Sequence, residues 1–86
     1  ADLGPLRIKL AASPSDHEAR YDLACALWAI GERAESVDEL LEIIRQNRGW
    51  NEEAARKQLL KYFEAMGPTD PLTVEARGQL SSLLFS

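Results

Sequence analysis

The chain alternates between stretches with apolar residues at helical spacing and short polar stretches that contain glycine or proline. The stretch 33–47 carries apolar side chains at the i, i+3, i+4 and i+7 positions that make up one helix face. These side chains are Val37, Leu40, Leu41 and Ile44. No segment shows sustained alternation with a period of two, so strands are not predicted. The pattern therefore predicts an all-α fold of about five helices.

Glycine and proline mark the predicted helix ends. Pro14 disfavours helical geometry at the residue before it, which confines the first helix to a short segment. Gly31 ends the second helix, and Gly67 with Pro68 ends the fourth. The predicted units are a short helix at 3–12, a helical hairpin at 16–48 and a second hairpin at 51–85.

Three capping signals predict where helices begin. Ser15 and Glu18 match a capping box, in which the serine hydroxyl and the glutamate carboxylate satisfy each other's backbone N–H groups. Asn51 is the predicted cap of the fourth helix. Asp70 is the predicted cap of the fifth helix, with Pro71 at its first position.

The last two helices also carry side-chain patterns. In the fourth, Glu52 lies four residues before Arg56, and Glu53 lies four before Lys57, which predicts two ion pairs along the helix. In the fifth, an apolar stripe is predicted to cover the fourth helix, although an exposed apolar tail is the alternative. The stripe consists of Leu72, Ala76, Leu80 and Leu84.

The segment 22–31 aligns with 58–67 at an offset of 36 residues. The alignment pairs Leu23 with Leu59, Leu27 with Phe63, Ala29 with Ala65, Ile30 with Met66, and Gly31 with Gly67. A period of this length is typical of stacked helical hairpins, in which no unit buries its apolar face alone. The alternative is a chance match between two amphipathic helices that each end in glycine.

Composition narrows the possible functions. The chain is 45% apolar and 28% charged, as in ordinary globular proteins. Its net charge of −4 opposes binding to nucleic acid. The longest apolar run, 23–30, is far shorter than the roughly 20 residues of a membrane span. Cys25 is the only cysteine, so no internal disulfide forms, which fits a cytoplasmic location.

Candidate chemistry is sparse. His17 is the only histidine, and we expect it at the surface, because no Cys/His cluster accompanies it to form a zinc site. Cys25 lies among apolar residues, where burial makes a thiol unreactive. Gly78 lies inside the fifth helix and is predicted to be an exposed, tolerated glycine. We therefore predict no enzyme activity, no cofactor and no metal.

The first hairpin resembles a tetratricopeptide repeat. Positions that fit the pattern of that family are Leu23, Ala24, Leu27, Gly31, Leu40 and Ile43. Ser36 stands where alanine is usual, and Arg48 stands where proline is usual.

From Arg48 onward, "RGWNEEAARKQLLKYFEAMGPTDPLTVEARGQLSSLLFS" resembles the closing segment of bacterial thioredoxin-like co-chaperones of the YbbN type. The preceding "DHEARYDLACALWAIGERAESVDELLEII" resembles the hairpin before it in that family. The resemblance implies a non-catalytic protein-interaction module that follows a thioredoxin-like domain. The implied partners are unfolded client proteins and a chaperonin or DnaK-type chaperone.

The chain begins "ADLGPLRIKL", without an initiator methionine, so we expect it to be a fragment of a longer protein. A structural or oligomerisation domain that braces the thioredoxin-like domain, without contacting clients, is the alternative function. The oligomeric state is left open by the sequence.

The second helix carries two apolar seams. Leu23, Leu27 and Ile30 form one, and Tyr21, Cys25 and Trp28 form the other at i, i+4 and i+7. In the resembled repeat the second seam faces the groove that binds partner peptides, so Tyr21, Cys25 and Trp28 are the candidate protein-binding residues. The simpler interpretation, which the small size of the chain favours, is that the second helix is central and that helix one or four covers this seam.

Overall fold

A computed structural model describes residues 2–85 of the 86-residue chain. These residues contain five α-helices: α1 Gly4–Ala12, α2 His17–Ala29, α3 Arg33–Gln46, α4 Trp50–Met66 and α5 Pro71–Phe85. No β-strand occurs in this part of the chain, and the all-α prediction is confirmed. None of the five described helices is long and apolar enough to span a membrane.

The turns of both hairpins contain a glycine with positive φ. Gly31 follows α2 with a φ of 89°, and Gly67 follows α4 with a φ of 93°, values that only glycine adopts without strain. Leu23 and Leu59, which the 36-residue alignment pairs, are both buried. The predicted helical hairpins are confirmed, because in both units the first helix is followed by a positive-φ glycine and contributes a buried leucine to the core.

Two of the three predicted caps differ from the structure. Asp16, rather than Ser15, caps α2, because its Oδ1 accepts the N–H of Ala19 at 3.0 Å. The predicted Ser15–Glu18 capping box is therefore wrong by one residue, and the Glu18 side chain is left exposed. At α5 the prediction is confirmed, since Asp70 Oδ1 accepts the N–H of Leu72 at 2.9 Å.

The start of α4 was predicted wrongly. The helix begins at Trp50, and the next three residues, Asn51, Glu52 and Glu53, have positive φ values of 49°, 55° and 62°. This is a left-handed turn that precedes the right-handed part of α4, so Asn51 does not act as a helix cap. Asparagine tolerates this conformation, whereas it costs other residues roughly 1–2 kcal/mol each.

The left-handed turn also explains why the predicted ion pairs along α4 are wrong. Within residues 2–85, neither Glu52 with Arg56 nor Glu53 with Lys57 forms a pair. Instead, Glu53 approaches Arg56 at 3.9 Å, three residues away. The i, i+4 relationship requires right-handed geometry at both residues, and the first residue of each predicted pair lacks it.

Helix α3 occupies the centre of the fold, where the sequence favoured α2. It packs against α2, α4 and α5, whereas α1 packs mainly against α2 and reaches α3 through the Arg7–Glu35 salt bridge. Its buried residues are Ser36, Val37, Leu40, Leu41, Ile43 and Ile44. A second, smaller apolar cluster joins α1 to α2 and consists of Leu10, Ala19, Leu23 and Leu27. The core is thus organised around α3, with α1 attached to one side.

Helix α5 covers the core through the middle of its predicted stripe. Ala76 and Leu80 are buried, whereas Leu72 and Leu84 are half-buried and Phe85 is 83% exposed. Gly78 is exposed, and a Cβ added there would meet no atom within 4 Å, as predicted for a tolerated glycine. Core packing therefore accounts for most of the apolar residues of α5.

Both departures from the resembled repeat have a structural role. Ser36 is completely buried, and its Oγ donates to the Ala24 carbonyl of α2 at 2.6 Å and lies 3.1 Å from the Tyr62 hydroxyl of α4. One hydroxyl proton can serve only one of these bonds, so Tyr62 supplies the proton of the second. Ser36 therefore joins α2, α3 and α4.

The second departure, Arg48, donates to the Leu84 carbonyl at 3.0 Å, near the end of α5.

Replacing Ser36 with alanine should reveal this network. Ser36→Ala removes the hydrogen bond between residue 36 and the buried Tyr62 hydroxyl, so we expect the free energy of unfolding to fall by about 1–2 kcal/mol. Tyr62→Phe in the Ser36→Ala background should cost little or be stabilising, because no hydroxyl remains to be satisfied. Urea unfolding of wild type, both single variants and the double variant measures the coupling. Equal costs of Tyr62→Phe in both backgrounds would contradict the shared bond.

Replacing Glu52 with glycine tests the left-handed turn by the sign of the stability change. Because glycine adopts positive φ without strain, Glu52→Gly should raise the free energy of unfolding by about 1 kcal/mol. Glu64→Gly, in the right-handed part of α4, is the control and should lower it by about 1 kcal/mol. Thermal unfolding compares the two variants. Destabilisation by Glu52→Gly would mean that residue 52 is right-handed.

Candidate protein-binding groove

The second seam of α2 lies along the boundary with α4. Tyr21 lies against Trp50 near the start of α4, and Trp28 lies against Tyr62 in its second half. The two helices therefore run side by side in the same direction. We call the surface along this boundary, formed on α2 by Tyr21, Cys25 and Trp28, the α2–α4 groove. All three residues are half-buried, so α4 covers the seam only in part.

Trp28 is fixed by contacts with two side chains, Tyr62 and Arg33. Its ring stacks on that of Tyr62, with centroids 3.8 Å apart and planes 6° from parallel. The Arg33 guanidinium, from the first residue of α3, lies 5.2 Å from the Trp28 ring centroid. A cation over an aromatic face is attracted by the ring electrons. Trp28 is thus fixed in orientation although part of its surface remains open to solvent.

Tyr21 lies at the other end of the α2–α4 groove and contacts α4 there. Its ring lies 5.7 Å from that of Trp50, at an angle of 52°. Its hydroxyl donates to Gln58 Oε1 over 3.4 Å, which ties α2 to the middle of α4. Trp50 was not singled out by the sequence, because the residue lies outside any apolar stripe and directly follows a turn.

His17 lies at this end as well, which corrects the expectation of a surface residue. It is half-buried, and its ring meets Trp50 edge-on with centroids 6.0 Å apart. Its Nδ1 is buried and has no hydrogen-bond partner within residues 2–85. No group of three or more metal-ligating side chains occurs in this described part of the chain.

Cys25 lies between the two aromatic contacts. Burial is the main reason that the pKa of its thiol is raised, and the negative charge of Asp22 raises it further. Hydrogen bonding with Tyr62 and Tyr21 acts in the opposite direction but is weaker. The pKa values of Tyr21 and Tyr62 are raised too, again chiefly by burial. The folded chain therefore releases the side-chain protons of Tyr21, Cys25 and Tyr62 at higher pH than the unfolded chain does.

A second cleft, of about 560 Å³, lies on another side of the molecule between α2, α3 and α5. Its charged side chains are largely paired with one another. Arg20 bonds Glu39 at 2.7 Å, and Glu42 lies beside both Arg45 and Gln46. The hydrogen bond from Gln46 is the main reason that the pKa of Glu42 is lowered. Most charged side chains of this cleft are paired, whereas aromatic rings line the α2–α4 groove.

Stability should decrease at alkaline pH because of the groove. The raised pKa values mean that the folded chain keeps protons that the unfolded chain releases between about pH 8.5 and 10. These groups contribute their full stabilisation below that pH range. The stabilisation is lost as pH rises through their raised pKa values in the folded chain. Urea unfolding across this range should show a falling free energy of unfolding, and Cys25→Ser should make the fall shallower. A flat profile would contradict the tight hold on these protons.

The helical hairpins agree with the comparison with known families. The family model described as tetratricopeptide repeat matches residues 1–85, almost the whole chain. A comparison with curated proteins gives no match. Domains of this family are generally non-catalytic and mediate interactions between proteins. With this coverage, the chain belongs to the tetratricopeptide repeat family.

Proposed function

We propose that the α2–α4 groove binds a segment of a partner protein. The observation that carries this proposal is the half-buried aromatic seam, in which Tyr21 and Trp28 are held in place by α4 yet keep part of their surface open. Rigid aromatic side chains offer large contact areas and lose little conformational entropy on binding. Because the second cleft has mostly paired charges, the groove is the better docking surface.

The finer proposal concerns the partner. From the resemblance to thioredoxin-like co-chaperones, we propose that the groove contributes to binding unfolded clients or to docking on a chaperonin or DnaK-type chaperone. An unfolded segment exposes apolar side chains. Contact with the half-buried Tyr21, Cys25 and Trp28 would remove these apolar side chains from water. The proposal places this domain after a thioredoxin-like domain in the longer protein.

A matched pair of substitutions tests the proposal. Cys25→Gln places a larger neutral side chain in the middle of the groove, whereas Ala34→Gln adds the same group to an exposed position on α3. Circular dichroism first establishes that both variants are folded. Fluorescence anisotropy then measures binding to a reduced, unfolded client, to chaperonin and to a DnaK-type chaperone.

We expect Cys25→Gln to weaken binding by about tenfold, the change that corresponds to about 1.4 kcal/mol. Ala34→Gln should bind like the wild-type chain. If none of the three proteins binds the wild-type chain, the co-chaperone proposal fails. If the two variants bind equally well, binding occurs elsewhere than in the α2–α4 groove.

The alternative, a structural or oligomerisation role, is favoured by apolar side chains on the outer helices. Ile8 of α1 is 72% exposed, and Val74 and Phe85 of α5 are 60% and 83% exposed. Such residues could contact a second copy or a neighbouring domain. Light scattering over a concentration series tests oligomerisation. A strict monomer that still binds client would contradict this alternative.

A further inference from the structure

One end of the α2–α4 groove opens into a cleft of about 570 Å³. Its lining residues are Glu18, Tyr21, Asp22, Trp50 and Asn51, and we call it the N-terminal cleft because they lie near the starts of α2 and α4. The rings of Tyr21 and Trp50 are 5.7 Å apart and inclined at 52°, so two π surfaces with different orientations border the same space. Both rings are half-buried and therefore fixed by their neighbours.

The carboxylates of the N-terminal cleft are unpaired. Glu18 and Asp22 lie four residues apart on one face of α2, and both are exposed. Neither forms a salt bridge or a side-chain hydrogen bond with any residue in the described range 2–85. In contrast, Glu35, Glu39 and Glu42 each have an arginine partner. No basic side chain lines the cleft, so its two negative charges have no ionic partner within residues 2–85.

We propose that the N-terminal cleft holds a cationic side chain, arginine or lysine, of the partner segment; this inference rests on the proposed binding function of the α2–α4 groove. Aromatic faces attract cations through their ring electrons, and carboxylates attract them through charge. The combination selects a cation over either an apolar or an anionic side chain. The same fold already places guanidinium groups over aromatic rings, at Arg33 with Trp28 and at Arg77 with Phe63.

Other occupants fit the cleft less well. An apolar side chain would remove water from two carboxylates without replacing their hydrogen bonds. An anionic group would be repelled by them. The start of α2 carries only about half a positive charge from its peptide dipoles, which the two full negative charges exceed. The net charge of −4 on the whole chain also favours the approach of a basic segment.

Two blocked peptides test the inference. One is Ac-Gly-Ser-Arg-Ser-Gly-amide, and in the other citrulline replaces arginine, which keeps the shape of the side chain but removes its charge. NMR titration of the isotope-labelled chain follows the Trp50 indole N–H and the backbone amides of Glu18 and Asp22. We expect these signals to shift with the arginine peptide, and the citrulline peptide to bind about tenfold more weakly.

Matched charge variants locate the site. Glu18→Gln with Asp22→Asn removes both carboxylates of the N-terminal cleft. Glu32→Gln with Asp38→Asn changes the net charge by the same amount at two exposed residues that do not line the cleft. Affinity for the arginine peptide should fall about tenfold in the first double variant and change less than about twofold in the second.

Several outcomes would overturn the inference: equal binding of the citrulline peptide, wild-type affinity in the first double variant, or shifts confined to other parts of the chain. The proposed function can fail separately. Client binding that depends on Cys25, without arginine-peptide binding, overturns only the cationic cleft. Arginine-peptide binding in the cleft without any client or chaperone binding supports the cleft and overturns only the co-chaperone proposal.

Discussion

The burial of one face of α3 against α2, α4 and α5 organises the fold, and the Ser36 hydroxyl lies where α2, α3 and α4 meet. The small side chains of Ala24 and Ser36 let α2 and α3 approach closely, and the Ser36 hydroxyl then reaches both the Ala24 carbonyl and the Tyr62 hydroxyl. An apolar alanine at this position could not orient Tyr62. Because Trp28 stacks on Tyr62, the buried network also sets the orientation of a ring that borders the α2–α4 groove.

Charges are distributed unequally over the surface. On the side formed by α2, α3 and α5, arginine and glutamate side chains pair with each other and stabilise the helix contacts modestly. In the N-terminal cleft, Glu18 and Asp22 have no such partners among the residues that the structure describes. Unpaired charges beside rigid aromatic rings are available to interact with a ligand. Charges that are already paired within the fold are not.

Periodicity identified Tyr21, Cys25 and Trp28 as one seam, and the structure places all three along the boundary with α4. Spacing within one helix could not show whether another helix covers the seam, because that depends on the packing of α4 on α3. The outcome lies between the two interpretations, since the residues are half-buried. Trp50 and the buried ring nitrogen of His17 were missed for the same reason: both acquire their contacts from residues distant in the chain.

The pattern of residues along the chain is sufficient to predict the fold class, the hairpin repeat and those helix ends that depend on neighbouring residues, such as Gly31, Gly67 and the Asp70 cap. These features are local, because backbone sterics and a side chain two residues away are sufficient to produce them. Three features are visible only in three dimensions: the central position of α3, the left-handed turn at residues 51–53 and the contact between Trp50 and Tyr21. The first and third depend on packing between helices, which no single segment encodes, whereas the turn runs against the local backbone preference of Glu52 and Glu53.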